Sequence, residues 1–281
     1  MLGASTTMRA ALVAAMLALG IALLGIAAPW LINDSRADEQ ADRLAHWQDI
    51  ATLLFGDRAL QNGDAVIALD APGRADDAAL VPMTISVKNG ATVKGVYLVI
   101  DENPAPVAAH FVFGPAADPS QIKLRVRVNA YTNVHAVAEM QDGRLLETTR
   151  FVKASGGCSA PMDMSEQEAM KGMGEMRLKL AGEVTPGKPA EAVLMVRHPN
   201  FNGMQMNQVS RLYTPARYIQ SLTVTDGAVK VFDLEADISL AANPVIGFRF
   251  IPQAEGELKV AVTDSDKGHW EKSFPVPAPS N

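Results

Sequence analysis

The stretch "QIKLRVRV" (121–128) alternates strictly, with Ile122, Leu124, Val126 and Val128 on one face. That period of two is the mark of a half-buried β-strand. Six further runs in the same half are short and rich in β-branched residues: "AVIAL" (65–69), "LVPMTISV" (80–87), "VKGVYLVI" (93–100), "AHFVF" (109–113), "VHAVAEM" (134–140) and "LLETTRFV" (145–152). The last two are joined through Asp142-Gly143, a hairpin signal. About seven strands at this spacing predict an immunoglobulin-like sandwich. Strand patterning returns after residue 174 in "EMRLKLAG", "AEAVLMVRHP", "RYIQSLTVTDGAVKVFDL" with its turn at Asp226-Gly227, "PVIGFRFIP", "ELKVAVTD" and "HWEKSFPV". The expected fold is all-β, two immunoglobulin-like sandwiches in tandem.

Between them the texture changes. "GGCSAPMDMSEQEAMKGMG" is rich in glycine and methionine and has no strand pattern. It reads as a linker over 158–174, in which Ser165 followed by Glu168 can cap a turn or two of helix. Upstream, "DEQADRLAHWQDIATLLFG" sets Leu44, Trp47, Ala51 and Leu54 on one helical face, with Gly56 as a stop. At the N-terminus Arg9 precedes an uncharged run from Ala10 to Asn33. This is an export signal, cleaved near Ser35-Arg36-Ala37 or retained as an anchor. The expected layout is therefore a signal or anchor over 1–37, a sandwich with its helix over 38–157, the linker, a second sandwich over 175–276, and a disordered tail over 277–281.

The formal charge of −6 comes without a basic cluster, which argues against nucleic acid as a partner. The single cysteine, Cys158, cannot form an internal disulfide. It is left as a buried inert thiol, an intermolecular bridge or an exposed working thiol. Gly156 and Gly157 before it broaden the allowed backbone conformations, so the segment is expected to expose Cys158 and let it swing. Lys153 is the only cation close in sequence, which offers little activation of the thiolate. A linker cysteine with no role is the plain alternative. The histidines at 46, 110, 135, 198 and 269 never fall at metal-ligand spacing and are read as structural or surface residues. No nucleophile elbow, P-loop or dinucleotide fingerprint occurs, so no enzyme is expected. Met204 and Met206 behind His198 have the thioether spacing of extracytoplasmic copper sites. Methionines also serve as flexible contact residues.

At "VKASGGC" the first half resembles SoxY, the sulfur-carrier subunit of periplasmic thiosulfate oxidation, as it does in "ALDAPGRADDAALVPMTISV", "VYLVIDENPAPVAAHF" and "RVRVNAYTNVHAVAEMQDGRL". The second half resembles SoxZ in "VRHPNFNGM", "TPARYIQSLTVTDGAVKVFDLE" and the stretch from "SLAANPVIGFRF" onward. The wording "GGCSAP" and "GMQM" is similar to fused SoxYZ-like carriers associated with quinoprotein dehydrogenases. The resemblance implies a periplasmic, non-enzymatic carrier that bears a sulfur-containing intermediate on Cys158 as a persulfide-type adduct, with Gly156 and Gly157 as a swinging arm and no other cofactor. Its partners would be periplasmic sulfur-oxidising enzymes or quinoprotein dehydrogenase components, and its two halves would pair internally. In SoxY the arm ends as Gly-Gly-Cys-Gly-Gly, whereas here Ser159-Ala160-Pro161 follows and the chain runs on. The rival reading is an accessory or copper-binding redox protein of a quinoprotein dehydrogenase system, on His198, Met204 and Met206. A sulfur sealed inside either sandwich, with its glycine neighbours rigidly packed, would be incompatible with carriage.

Overall fold

The computed structural model describes residues 28–88, 91–160, 164–207, 211–253 and 256–276. The expected signal segment lies outside the described residues up to residue 27, and the expected tail lies wholly outside them. The chain divides into two compact units, one up to Leu54 and one from Phe55 onward. The first is dominated by helix α1 (Ala28–Phe55), which ends where Gly56 takes up φ +62°. Trp47 and Ile50 are buried on it, but Leu44, expected on the same stripe, is 56% exposed. Leu44 lies one turn beyond the buried pair, where Ala41, Asp42, Ala45 and His46 are exposed as well. Among the described residues no helix is long and apolar enough to cross a membrane.

The second unit is all-β. Its first half holds β1 (Leu60–Asn62), β2 (Ile67–Asp70), β3 (Val81–Val87), β4 (Val93–Ile100), β5 (Val107–Phe113), β6 (Ala117–Val126), β7 (Thr132–Met140) and β8 (Leu145–Val152). A short helix α2 (Glu166–Met170) follows, closed by the expected capping box of Ser165 and Glu168. The second half holds β9 (Met176–Ala181), β10 (Ala190–Val196), β11 (Ile219–Asp226), β12 (Val229–Ala236), β13 (Val245–Phe250), β14 (Gly256–Asp264) and β15 (His269–Val276). Both Asp-Gly turns are present, with Gly143 at φ +88° and Gly227 at φ +55°.

The sheets do not stop at the boundary between the halves. One runs β1-β8-β7-β4-β5-β12-β11-β14-β15 and the other β2-β3-β6-β13-β10-β9. The halves meet at two antiparallel pairings: β5 with β12, where Phe111 faces Leu234 and Phe113 faces Phe232, and β6 with β13, where Ile122 faces Phe248. Taken apart, the halves would expose the edges of β5, β6, β12 and β13, a liability that the two pairings remove. The hydrophobic core is correspondingly a single cluster that includes residues of both halves. A file of rings crosses the join, with Phe111–Phe232 centroids at 5.4 Å, Phe232–Phe248 at 5.1 Å and Phe248–Phe250 at 6.1 Å.

One buried polar cluster lies away from the join. His135 on β7 is 3% exposed, with Nδ1 2.5 Å from Glu147 Oε1 and Nε2 3.1 Å from Asp101 Oδ2. Burial opposes the charge, but the two carboxylates outweigh it and raise the pKa of His135 above the usual value. A raised folded-state pKa means that the stabilisation is complete below the unfolded value of about 6.5 and is lost as pH rises through the folded value. Wild-type stability, followed by urea unfolding between about pH 6 and pH 9, is therefore expected to fall more steeply than that of His135→Gln. Parallel profiles would remove the imidazolium assignment.

Candidate functional site

Cys158 sits where the end of β8 comes back to the end of β6. Beyond Val152 the chain stays pinned: Lys153 N–H donates to Gly73 O at 3.1 Å, and Ala75 N–H donates to Lys153 O at 3.0 Å. Gly156 N–H then donates to Asn129 O at 2.7 Å and Gly157 N–H to Val128 O at 3.1 Å. Ser159 N–H closes a turn onto Gly156 O at 3.1 Å, which places Gly157 and Cys158 at its two central positions. The two glycines serve different ends. Gly156 is needed for its φ of +76°. Gly157 is needed for close approach, because a Cβ there would lie 2.0 Å from Ala78 O and 2.6 Å from Val128 O.

The other side of the turn is covered by the segment "HPNFNGMQM". Asn202 Nδ2 donates to Cys158 O at 2.6 Å, Asn202 Oδ1 accepts from Met204 N–H at 2.9 Å, and Gln205 Nε2 reaches Ala160 O at 3.4 Å. Asn200, at φ +44°, donates to Ala241 O at 2.8 Å and accepts from Ile219 N–H at 3.0 Å. These asparagines make the segment a clasp, closed over the cysteine from the opposite half of the unit.

The sequence-based expectation of an exposed Cys158 is therefore corrected: the residue is 0% exposed. Flanking glycines report what the backbone tolerates and say nothing about what covers it, and the cover comes from residues more than forty positions away. Yet Cys158 does not belong to the hydrophobic core cluster of the two sandwiches. Its turn is held from both halves, by Val128 and Asn129 on one side and Asn202 on the other. Burial pushes the Cys158 thiol above its usual pKa, partly offset by the Arg127 guanidinium.

Arg127 was not legible as a site residue. The alternation of "QIKLRVRV" puts Lys123, Arg125 and Arg127 on the solvent face; Lys123 and Arg125 are exposed, but Arg127 is 2% exposed. Its burial follows from the end of β6 at Val126, after which Arg127 N–H donates to Ser239 O at 2.8 Å. Its Nη1 donates to Leu240 O at 2.5 Å and Ile238 O at 3.3 Å. Asn103 braces the same spot, donating to Arg127 O at 2.7 Å and Ser239 Oγ at 2.9 Å. Burial lowers the Arg127 pKa to about 10, still well above neutral pH.

Comparison with known families bears on this arrangement directly. The family model for the sulfur oxidation protein SoxY matches residues 51–158, and that for the sulphur oxidation protein SoxZ matches residues 177–275. The chain belongs to the SoxY and SoxZ families, fused in that order. The SoxY match ends on Cys158 itself, and the clasp over it is a SoxZ segment. Among solved structures, the chain is similar to the sulfur carrier protein SoxY from Chlorobium limicola f thiosulfatophilum. The identity is 25%, over 42% of this chain and 98% of that one, with a TM-score of 0.36. It also aligns with a beta-glycosidase from Bacteroides vulgatus at 9% identity, over 79% of this chain and 25% of that one, with a TM-score of 0.23. A comparison with curated protein sequences returns no match.

The residues of the copper reading, His198, Met204 and Met206, lie in the SoxZ half. His198 is 0% exposed; its Nδ1 accepts from Asn200 N–H at 3.1 Å and its Nε2 faces Asp264 Oδ2 at 3.3 Å. Burial lowers its pKa, so the neutral imidazole donates from Nε2 to a carboxylate also held by Arg217 Nε at 2.7 Å. Both ring nitrogens are thus committed, and His198 orders the clasp. Met204 and Met206 are half-buried, and Met206 forms an isolated antiparallel bridge with Tyr213. Among the described residues no group of His, Cys, Asp or Glu side chains has the arrangement of a metal site. Of the linker methionines, Met162 lies outside the described residues and Met164 is 47% exposed.

Proposed function

We propose that this SoxY–SoxZ fusion is an exported, periplasmic carrier that holds a sulfur-containing group covalently on Cys158 and presents it to enzymes of sulfur oxidation, without itself catalysing the chemistry. The observation that supports this reading is the position of Cys158: the terminal residue of the SoxY match, in a turn covered by a segment of the SoxZ match. In the docked state the thiol is shielded and its pKa is raised, so it is protected from stray oxidants and poor as a nucleophile. Release is inexpensive in structural terms. The bonds to be broken are two main-chain hydrogen bonds from Gly156 and Gly157 and the Asn202 and Gln205 contacts, each worth about 1 kcal/mol net. No strand of either sheet is lost. Gly156 and Gly157 then serve as the pivot, and activation of the thiolate falls to the partner's active site.

The test is intact mass of protein isolated from the periplasm of cells oxidising thiosulfate. A fraction carrying a sulfur-containing mass increment that is removed by a reducing agent is expected, and Cys158→Ala is expected to lack it. Unmodified protein throughout, in cells shown to be oxidising thiosulfate, would end the carrier reading.

A further inference from the structure

Among the described residues, the exposed large apolar side chains outside helix α1 are not scattered over the β unit. Leu80 stands two residues beyond Ala78, whose carbonyl limits the space at Gly157. Tyr131 stands two beyond Asn129, whose carbonyl accepts from Gly156 N–H. Phe151 lies at the end of β8, from which the Cys158 segment departs. Met164 follows closely on Ala160, whose carbonyl Gln205 reaches. Leu212 and Tyr213 belong to the clasp, where Tyr213 bridges Met206 and Thr214 N–H donates to Gln205 O at 2.9 Å. All six thus sit on segments that hold, flank or cover the Cys158 turn. Apolar groups spread singly over a surface need no explanation, but a set gathered about one feature marks an interaction site. Charge gathers there too. In a chain of formal charge −6, Arg74 and Lys153 are set side by side by a parallel bridge at the foot of the Cys158 segment. Both are exposed, and among the described residues neither forms an ion pair, although Asp76 and Asp77 are close in sequence.

We propose that these side chains form the docking surface for a second protein, which meets the apolar groups with an apolar patch and meets Arg74 and Lys153 with carboxylates. The proposal rests on the carrier reading and deepens it, because it states where a partner seats itself and with what chemistry. Tyrosine, phenylalanine and methionine are residue types enriched at protein–protein contacts, and a complementary charge steers the encounter and fixes its orientation. The surface draws on both halves of the chain, Tyr131 and Phe151 from the SoxY match and Tyr213 from the SoxZ match, so a partner of this kind recognises the fusion and neither half alone. A second copy of the chain fits poorly. It would bring the same two cations to both sides of the contact and close the two Cys158 turns against each other.

The test uses the full-length protein in cells oxidising thiosulfate. A photo-crosslinking side chain is introduced as Tyr131→benzoylphenylalanine or Tyr213→benzoylphenylalanine, with Ser273→benzoylphenylalanine on the far edge strand β15 as the control. The first two positions are expected to cross-link to the same second protein on irradiation and the third is not. Adding Arg74→Glu and Lys153→Glu should cut that yield roughly ten-fold. In parallel, the rate at which the Cys158 adduct appears after thiosulfate is supplied should fall about ten-fold or more in Tyr131→Ser/Tyr213→Ser, the scale of losing aromatic anchors from an interface. Tyr131 and Tyr213 are 49% and 60% exposed, so the fold should survive, and alkylation of Cys158 in the purified variant by a small maleimide should stay at the wild-type rate. Cross-links only to a second copy or to lipid, equal yield at Ser273, or a yield indifferent to charge reversal would overturn the proposal. The two readings fail separately. An adduct that forms at the normal rate in Tyr131→Ser/Tyr213→Ser tells against this surface and leaves carriage standing, whereas the expected cross-links in cells whose wild-type protein never bears an adduct tell against carriage alone.

Discussion

Gly157→Ala is expected to convert Cys158 from a shielded thiol into a reactive one. The new Cβ would meet Ala78 O at 2.0 Å and Val128 O at 2.6 Å, and these main-chain segments are themselves tied by Val128 N–H to Ala78 O at 2.8 Å. Neither can retreat without losing that bond. Overpacking of this kind costs about 1–3 kcal/mol. That is comparable to the few hydrogen bonds that dock the turn and well below the stability of a two-sheet fold, so the turn should leave while the sandwiches stay. Alkylation of Cys158 by a neutral maleimide should accelerate about ten- to a hundred-fold, with the unfolding midpoint nearly unchanged. Gly156→Ala should have a milder effect, since among the described residues the only atom near its Cβ is Ser159 Oγ at 3.7 Å and the penalty is its φ of +76°. Identical alkylation rates in wild type and Gly157→Ala would mean that the docked turn is not what protects the thiol.

Phe232→Ala is expected to destabilise both halves together. Phe232 is 2% exposed on β12, touches Phe111 of the SoxY half and Phe248 of the SoxZ half, and faces Phe113 across the β5–β12 pairing. Removing a buried phenyl ring costs about 3–5 kcal/mol, which for a unit of this size lowers the melting temperature by roughly 10 °C. Because both sheets and the core run through the join, calorimetry should record one transition in the wild type and one, shifted, in the variant. Two resolved transitions, with only the later one moved, would contradict a shared core.

The strands were legible because their signal is local. Alternation, β-branched residues and two Asp-Gly turns fixed nearly every element, including β6 and the β7–β8 and β11–β12 hairpins. The three-residue β1 carries too little pattern to be seen. What escaped was set by contacts between distant residues. Nothing in "QIKLRVRV" separates Arg125 from Arg127; only the loop at Ser239, more than a hundred residues on, buries one and leaves the other in water. The same holds for the thiol, whose glycines were visible and whose lid was not. "HPNFNGMQM" drew notice for its thioethers, yet its asparagines hold the turn in place. The edge-to-edge joining of the sheets has no local signature at all.

The cysteine's turn is fastened on both flanks, at Lys153 through Gly73 and Ala75, and at Lys171, whose carbonyl is bound by Arg197. A segment held that way can leave only as a bight, doubled back on itself, never as a threaded end. Its tip can advance half of its contour, about 25–30 Å at the outside for this span, and two strands of backbone must travel with it. An enzyme serving the proposed carrier therefore needs a trough open along one side in place of a tunnel.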